Sequence, residues 1–345
     1  MVSTIDAPTK VKTPIGLKKI PRPDYARHPG YGLLFGRPKL STRIRAFKKL
    51  WPYLKEQALL VYHRKRTPQR AITGGNTLYD RVAREGAVGV RLSSEELAQL
   101  NRYLQPSLAS LQARKAQIPP EKRVFKDMLL GISIKDAPEF ISYLRQILER
   151  HGVIAAASRY LGAPVQMRDT VKLQITDRHD APWHDHFADA GAADPATSYM
   201  HIDSSVRIMK CMLYLNEVTL DNGPFGYVIG SNNLKMSLFE YIVRKANDKA
   251  RLDKCDPATR ELFWALPKAM QLKSEFGNDM FDGAPETQAL IEHEHKFTTA
   301  DGHIVLFDNN GIHRGTRVIA GERHAMQIQL DPQLGPGVPS AQDSY

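Results

Sequence analysis

A mainly β domain with flanking helices is the fold this sequence predicts, on three observations. Segments with a helical period lie mostly before residue 164, and short strand-like segments follow it. The chain carries no internal repeat, no low-complexity tract and no apolar run long enough to span a membrane. Helices first and many strands later is the texture of an antiparallel β core buttressed by helices.

Taken in order, residues 1–40 are rich in Pro, Gly, Lys and Arg without a sustained period and read as an extended arm. From Arg43 to Arg66 the apolar residues Ile44, Phe47, Trp51, Leu54, Ala58 and Val61 recur at spacings of three and four. Arg43, Arg45, Lys48, Lys49 and Lys55 stand between them, which makes a basic amphipathic helix with Pro52 as the place for a bend. Beyond Gly74-Gly75, "LYDRVAREGAVGVRL" and "SSEELAQLNRYL" predict a helix, a strand and a second helix, with Ser93 and Glu96 spaced as a capping box. One further helical stretch is expected from about Pro138 to Leu161, with Asp136 near its start and Gly162 and Pro164 after its end. Strands are expected at 171–176, 207–215, 225–230, 303–307 and 325–330. The helix-patterned stretch between Ser231 and Phe297 is too long for a hairpin turn. The expected organisation is an arm with its helix over 1–75 and a domain over 76–345 that carries an insertion at about 232–296.

With 345 residues, 42% hydrophobic and 25% charged, the chain can bury one large domain with additions or two small ones, and disorder throughout is excluded. The net charge of +11 is unevenly placed: residues 1–70 hold 17 Lys and Arg against 3 Asp and Glu, so the rest carries −3. The N-terminus has lysines and prolines where a secretory signal needs an apolar core, so a cytoplasmic protein is expected. Cys211 and Cys255 form no CxxC spacing, which argues against a disulfide framework or a structural zinc. The basic helix admits three readings. It packs on the β core with its charges in water, or it meets a membrane surface or acidic substrate, or it binds nucleic acid; the last is disfavoured because no base-reading module accompanies it.

"MHIDSS" at 200–205 contains the chain's one His-x-Asp. On an extended segment alternate side chains share a face, so His201 and Asp203 can share one ion. Two His and one carboxylate on one face of iron leave the opposite positions open. A second segment, "DGHIVLFDNNGIHRGTRVIAGERHAMQIQL" at 301–330, predicts a strand ending at Asp308, a Gly-containing turn, His313 opening the next strand, and Arg323 ten residues later. A competing pair, His184 and His186 in "PWHDHF", also shares a face but lacks a carboxylate two residues after His184. His293 and His295 in "EHEHKF" read as solvated.

These segments, with "YDRVAREGAVGVRLSSEELAQL" at 79–100 and "KCMLYLNEVTLDNGPFGYVIGSN" at 210–232, resemble in the same order the phytanoyl-CoA dioxygenase family of 2-oxoglutarate oxygenases. The resemblance implies a double-stranded β-helix, a cupin-like jelly roll whose mouth holds Fe(II). His201, Asp203 and His313 would be the metal ligands, with no catalytic residue beyond them. Arg323 would grip the distal carboxylate of 2-oxoglutarate, with Thr316 adding a hydroxyl, Gln174 an amide and Lys172 the fallback on the same face. Trp183, His184 and His186 fall on the substrate side. The implied activity is that of a dioxygenase consuming O2 and 2-oxoglutarate, releasing succinate and CO2. It hydroxylates an unactivated C–H bond of a small or lipid-linked, anionic metabolite; desaturation and ring closure are the other outcomes. A reducing, cytoplasmic compartment suits ferrous iron, and peripheral contact with an anionic membrane through residues 1–70 stays open. The other function class is a non-catalytic cupin-like or basic-arm binding protein for a membrane or nucleic acid.

Overall fold

Two capping boxes set the start of the helices that frame the first strand. Thr77 and Asp80 exchange side-chain and backbone hydrogen bonds at the start of α2 (Leu78–Glu85), and Ser93 and Glu96 do the same for α3 (Ser94–Gln117). Between them Gly86, at φ 86°, ends α2 in the left-handed conformation and turns the chain into β1 (Ala87–Val90). The computed structural model describes residues 39–64, 75–119, 125–177, 200, 202–203, 208–233, 288 and 290–333. It adds α1 (Leu40–Arg64), α4 (Pro138–Arg150) and α5 (Val153–Leu161), and the strands β2 (Leu129–Ser133), β3 (Val165–Met167), β4 (Thr170–Asp177), β5 (Met209–Tyr214), β6 (Phe225–Val228), β7 (Glu294–Phe297), β8 (Ile304–Asp308), β9 (His313–Gly315) and β10 (Glu322–Pro332).

The expected single helix from Pro138 to Leu161 is two. Gly152, at φ 72°, leaves the helical region and serves as the N-cap of α5. Asp136 does not cap α4; it accepts from the Ser133 hydroxyl, and α4 begins on Pro138 without a side-chain cap. The short strands β2, β3 and β7 were not expected, and β7 places the end of the proposed insertion inside the core. Residues 234–287 of that insertion lie outside the described residues.

All strand pairs among the described residues are antiparallel. The larger sheet runs β1-β8-β5-β10-β4-β2, with β3 also on β10, and the smaller runs β7-β6-β9. The chain passes from β5 to β6, from β7 to β8, and then through β9 to β10, changing sheets each time, which is the double-stranded β-helix expected above. No helix among the described residues is long and apolar enough to cross a membrane.

Period-2 alternation then sorts the side chains of the larger sheet. On β4, Val171, Leu173 and Ile175 are fully buried, with Leu213, Met326 and Ile328, in a cluster shared with Leu100, Phe140, Leu144 and Tyr160 of the helices. The other face looks at the smaller sheet: Tyr214, Ala325, Val305 and Phe307 pack with Phe225, Tyr227 and Phe297. Register puts Arg323 opposite Thr176, Ala325 opposite Gln174 and Gln327 opposite Lys172. Arg323, Thr176, Gln174 and Lys172 therefore share the inner face with Ala325. Across the gap, Arg314 forms a buried two-pronged ion pair with Glu294 at 2.7 and 2.8 Å. A Cβ on Gly226 would come within 2.0 Å of Glu294 Oε1, so the pair crosses β6 only because residue 226 is glycine. Tying Arg314 to one side of β9 leaves its neighbour His313 to the other.

Candidate metal centre and anion pocket

The turn after β8 is built around Asp308. Its Oδ1 accepts from the Asn310 backbone at 2.9 Å and side chain at 2.6 Å, and its Oδ2 accepts from the Tyr160 hydroxyl. Tyr227 donates its hydroxyl to the Asp308 carbonyl at 3.0 Å, and Ile312 N–H donates to Ser231 Oγ at 2.7 Å. A Cβ on Gly311 would lie 1.8 Å from the Tyr227 oxygen, so this turn requires glycine there. The turn delivers His313 to the start of β9, as the sequence predicts, with its ring among Phe225, Phe307 and Tyr227 at centroid distances of 5.6, 5.2 and 6.3 Å. Its Nδ1 lies 2.9 Å from the Gly311 carbonyl. A carbonyl only accepts, so Nδ1 is the donor in this contact and Nε2 is the ring nitrogen left to face a ligand.

Nε2 faces Asp203. The Asp203 backbone N–H donates to the Asn309 carbonyl at 2.9 Å, which fixes Asp203 beside the turn, and Asp203 Oδ2 stands 3.6 Å from His313 Nε2. That separation is too long for a hydrogen bond. It brings an imidazole nitrogen and a carboxylate, 110 residues apart in the chain, side by side. Lys210 was not anticipated: fully buried on β5, it pairs with Asp203 Oδ2 at 2.8 Å. The signal for it was a lone charge in the apolar run "IMKCMLYL", since a buried ammonium needs a carboxylate. His201 lies outside the described residues, and among the described residues no group of three His, Cys, Asp or Glu gathers. The groups present, an imidazole whose Nδ1 is held by a backbone carbonyl and a carboxylate, are of the types that hold a divalent transition metal.

A second feature of the same interior is Arg323. It is buried, donates from Nη1 to the Gly223 carbonyl and from Nη2 to Thr176 Oγ1 at 3.3 Å, and has no partner at Nε. Among the described residues no carboxylate pairs with it. Burial lowers its pKa and pushes the nearby Tyr214 hydroxyl up to about 12. A buried guanidinium with no carboxylate among the described residues costs on the order of several kcal/mol, which makes Arg323 a candidate holder of an anion. Gln174 Nε2 donates to the same Thr176 oxygen at 2.8 Å. Gln174 thus reaches Arg323 through Thr176, a residue the sequence reading missed although it lies on the Gln174 face. Thr316 donates to the Pro224 carbonyl at 2.6 Å, one residue from the Gly223 carbonyl that Arg323 reaches, while the hydroxyl hydrogen-bonded to the guanidinium is that of Thr176. Lys172 lies half-buried farther along the face. Trp183, His184 and His186 lie outside the described residues. His295 is taken by Asp301 at 3.0 Å, away from any ligand role.

No family model matches the chain, and no curated protein matches it. Solved structures similar to it include the non-heme alpha-ketoglutarate-dependent carbocyclase SnoK from nogalamycin biosynthesis, 13% identical over 79% of this chain and 91% of that one, at a TM-score of 0.42. EctD from S. alaskensis is 13% identical over 76% and 82% at 0.42, and HygX from Streptomyces hygroscopicus, with nickel and 2-oxoglutarate bound, is 12% identical over 73% and 85% at 0.41. At these values the likenesses decide nothing about the site, which stands on its own side chains.

Proposed function

We propose that the chain is an Fe(II)- and 2-oxoglutarate-dependent oxygenase of the phytanoyl-CoA dioxygenase type, hydroxylating a small or lipid-linked, acidic metabolite. The observation that carries the reading is the guanidinium of Arg323, buried with no carboxylate partner among the described residues, in the same interior as the Asp203–His313 pair. His201, Asp203 and His313 would hold the iron. When bound, the iron supplies O2 activation coupled to decarboxylation of the co-substrate to succinate and CO2. Arg323 grips the distal carboxylate of 2-oxoglutarate through its remaining N–H groups, and Thr176, held by Gln174, sets the plane of that grip. Phe225, Phe307 and Tyr227 keep water from the His313 ring. Lys210 holds Oδ2 of Asp203. Because residue 203 is a carboxylate and not a small side chain, hydroxylation is favoured over transfer of another anion, and the same site chemistry accommodates desaturation or ring closure. The reading includes a cytoplasmic protein, with the arm at 1–70 as its peripheral contact to an anionic surface.

One observation favours a second reading, a binding protein without turnover. The Lys210 ammonium, 2.8 Å from Asp203, already supplies a cation to the carboxylate. Anaerobic titration with ferrous iron, followed by succinate measured on addition of O2, separates the two. Stoichiometric iron and succinate formed from 2-oxoglutarate support the oxygenase. Their loss in His201→Ala, Asp203→Ala and His313→Ala, with the fold intact, assigns the ligands. A chain that takes up no iron is the binding protein.

A further inference from the structure

We infer that one face of α1 is a docking surface for an anionic lipid bilayer. Leu40, Ile44, Phe47 and Trp51 are 73, 49, 41 and 56% exposed, four of the six large hydrophobic side chains exposed among the described residues. Their spacings of four, three and four place them on one narrow stripe of a helix of 3.6 residues per turn. The Phe47 and Trp51 rings lie 5.8 Å apart, so the stripe presents a continuous aromatic patch. Leu50, 2% exposed, projects to another side of the helix, so the stripe is a second apolar face and not the one that packs.

The charges fix the occupant. Arg43 flanks the stripe on one side and Lys48 and Lys55 on the other, all exposed, and the first turn has no acidic residue. Long cationic side chains beside an apolar stripe reach the headgroup level while the stripe enters the acyl boundary. Nucleic acid would meet the charges and leave Leu40, Ile44, Phe47 and Trp51 in water. The segment 1–70 carries +14 and the rest of the chain −3, so an anionic surface attracts this end and not the β core. The inference does not rest on the interior site and needs no metal.

The test uses the full, metal-free chain and vesicles of phosphatidylcholine alone or mixed with an equal part of phosphatidylglycerol, in co-sedimentation. Binding is expected to the mixed vesicles only, to weaken with salt, and to fall about fivefold for each of Lys48→Gln and Lys55→Gln. The double variant Ile44→Asp, Trp51→Asp loses it, while its circular dichroism and thermal midpoint match the parent because both side chains are exposed. Equal binding to neutral vesicles, no binding, or binding that survives the double variant overturns the inference. So does self-association abolished by that variant without vesicle affinity, which makes a second copy the occupant. Succinate formation by the iron-loaded enzyme is unaffected in either case, so failure here is distinct from failure of the oxygenase reading.

Discussion

A lysine buried as deeply as Lys210 keeps its charge only by facing a carboxylate, and the carboxylate it faces is the proposed metal ligand Asp203. The consequence is a thermodynamic linkage between fold and metal. Removing the ammonium in Lys210→Met leaves Asp203 without its buried cation and is expected to cost about 3 kcal/mol in the metal-free chain. A divalent ion restores positive charge beside the same oxygen, so most of that loss returns on loading. Thermal midpoints with and without Ni(II) check it; a loss of equal size in both states makes Lys210 a packing residue only. At Arg323 the exchange to Lys retains charge and removes the planar fork. Arg323→Lys is expected to raise the 2-oxoglutarate requirement about tenfold or more while metal affinity stays within about twofold, one unmade charge-assisted hydrogen bond being worth roughly 1.5–3 kcal/mol. Reading succinate formation against 2-oxoglutarate concentration, beside a metal titration, decides it. Asp203, His313 and Arg323 stand out in the sequence as candidates because their types and spacing are unusual. Thr176 does not, because its contact with Arg323 exists only through the register of β10 on β4.

Among the elements, the end of α3 is tied to two strands at once. Lys115 meets Asp177 of β4 at 3.0 Å and Glu322 of β10 at 2.5 Å, and Gln112 and His324 also contact Glu322. Burial would raise the Glu322 carboxyl, but hydrogen bonds from Lys115, His324 and Gln112 outweigh it and hold the group at about 2, against an ordinary 4.5. A depressed carboxylate contributes stability above its unfolded value and loses it as pH falls through its folded value. The tether is therefore complete above about pH 4.5 and lost by about pH 2. Glu322→Gln is expected to be less stable than the parent at neutral pH, with the gap closing across that window; denaturant midpoints measured against pH check the sign, and a constant gap removes the linkage. These side chains could not be paired from the sequence, since residues more than 200 apart meet only after the sheet has formed. Elements with strong local signals were legible: the Ser93–Glu96 box, the long strands β4, β5, β8 and β10, and the Asp308 turn. The break at Gly152 was signalled only by a change of phase, since on one continuous helix Val153, Ala156 and Tyr160 would face away from Phe140, Leu144 and Leu148, and β2, β3 and β7 are too short to show a period.

The whole molecule places two apolar clusters on the two faces of one sheet, and their roles separate. The outer cluster joins the helices to the strands, whereas Phe225, Tyr227 and Phe307 of the inner cluster surround the His313 ring. The jelly roll was legible as a family resemblance and as a run of late strands. The face on which the site sits was not, since period 2 gives two faces and only the pairing of sheets says which is roofed by helices. That division predicts a split between stability and binding. Leu144→Ala, on α4, creates a cavity and is expected to cost about 2–5 kcal/mol while metal affinity stays within about twofold, because Leu144 lies in the outer cluster and Phe225 and Tyr227 beside His313 in the inner one. Phe225→Ala removes a ring 5.6 Å from His313 and 4.4 Å from Phe307, and its expected cost is also about 3–5 kcal/mol. Here the imidazole loses the wall that fixes its plane and gains water beside Nε2, so metal affinity falls as well, by about tenfold or more. Denaturant unfolding paired with metal titration on the two variants is the measurement. Equal metal affinities in both would mean that the inner cluster carries fold alone and that the Asp308 turn suffices to hold His313.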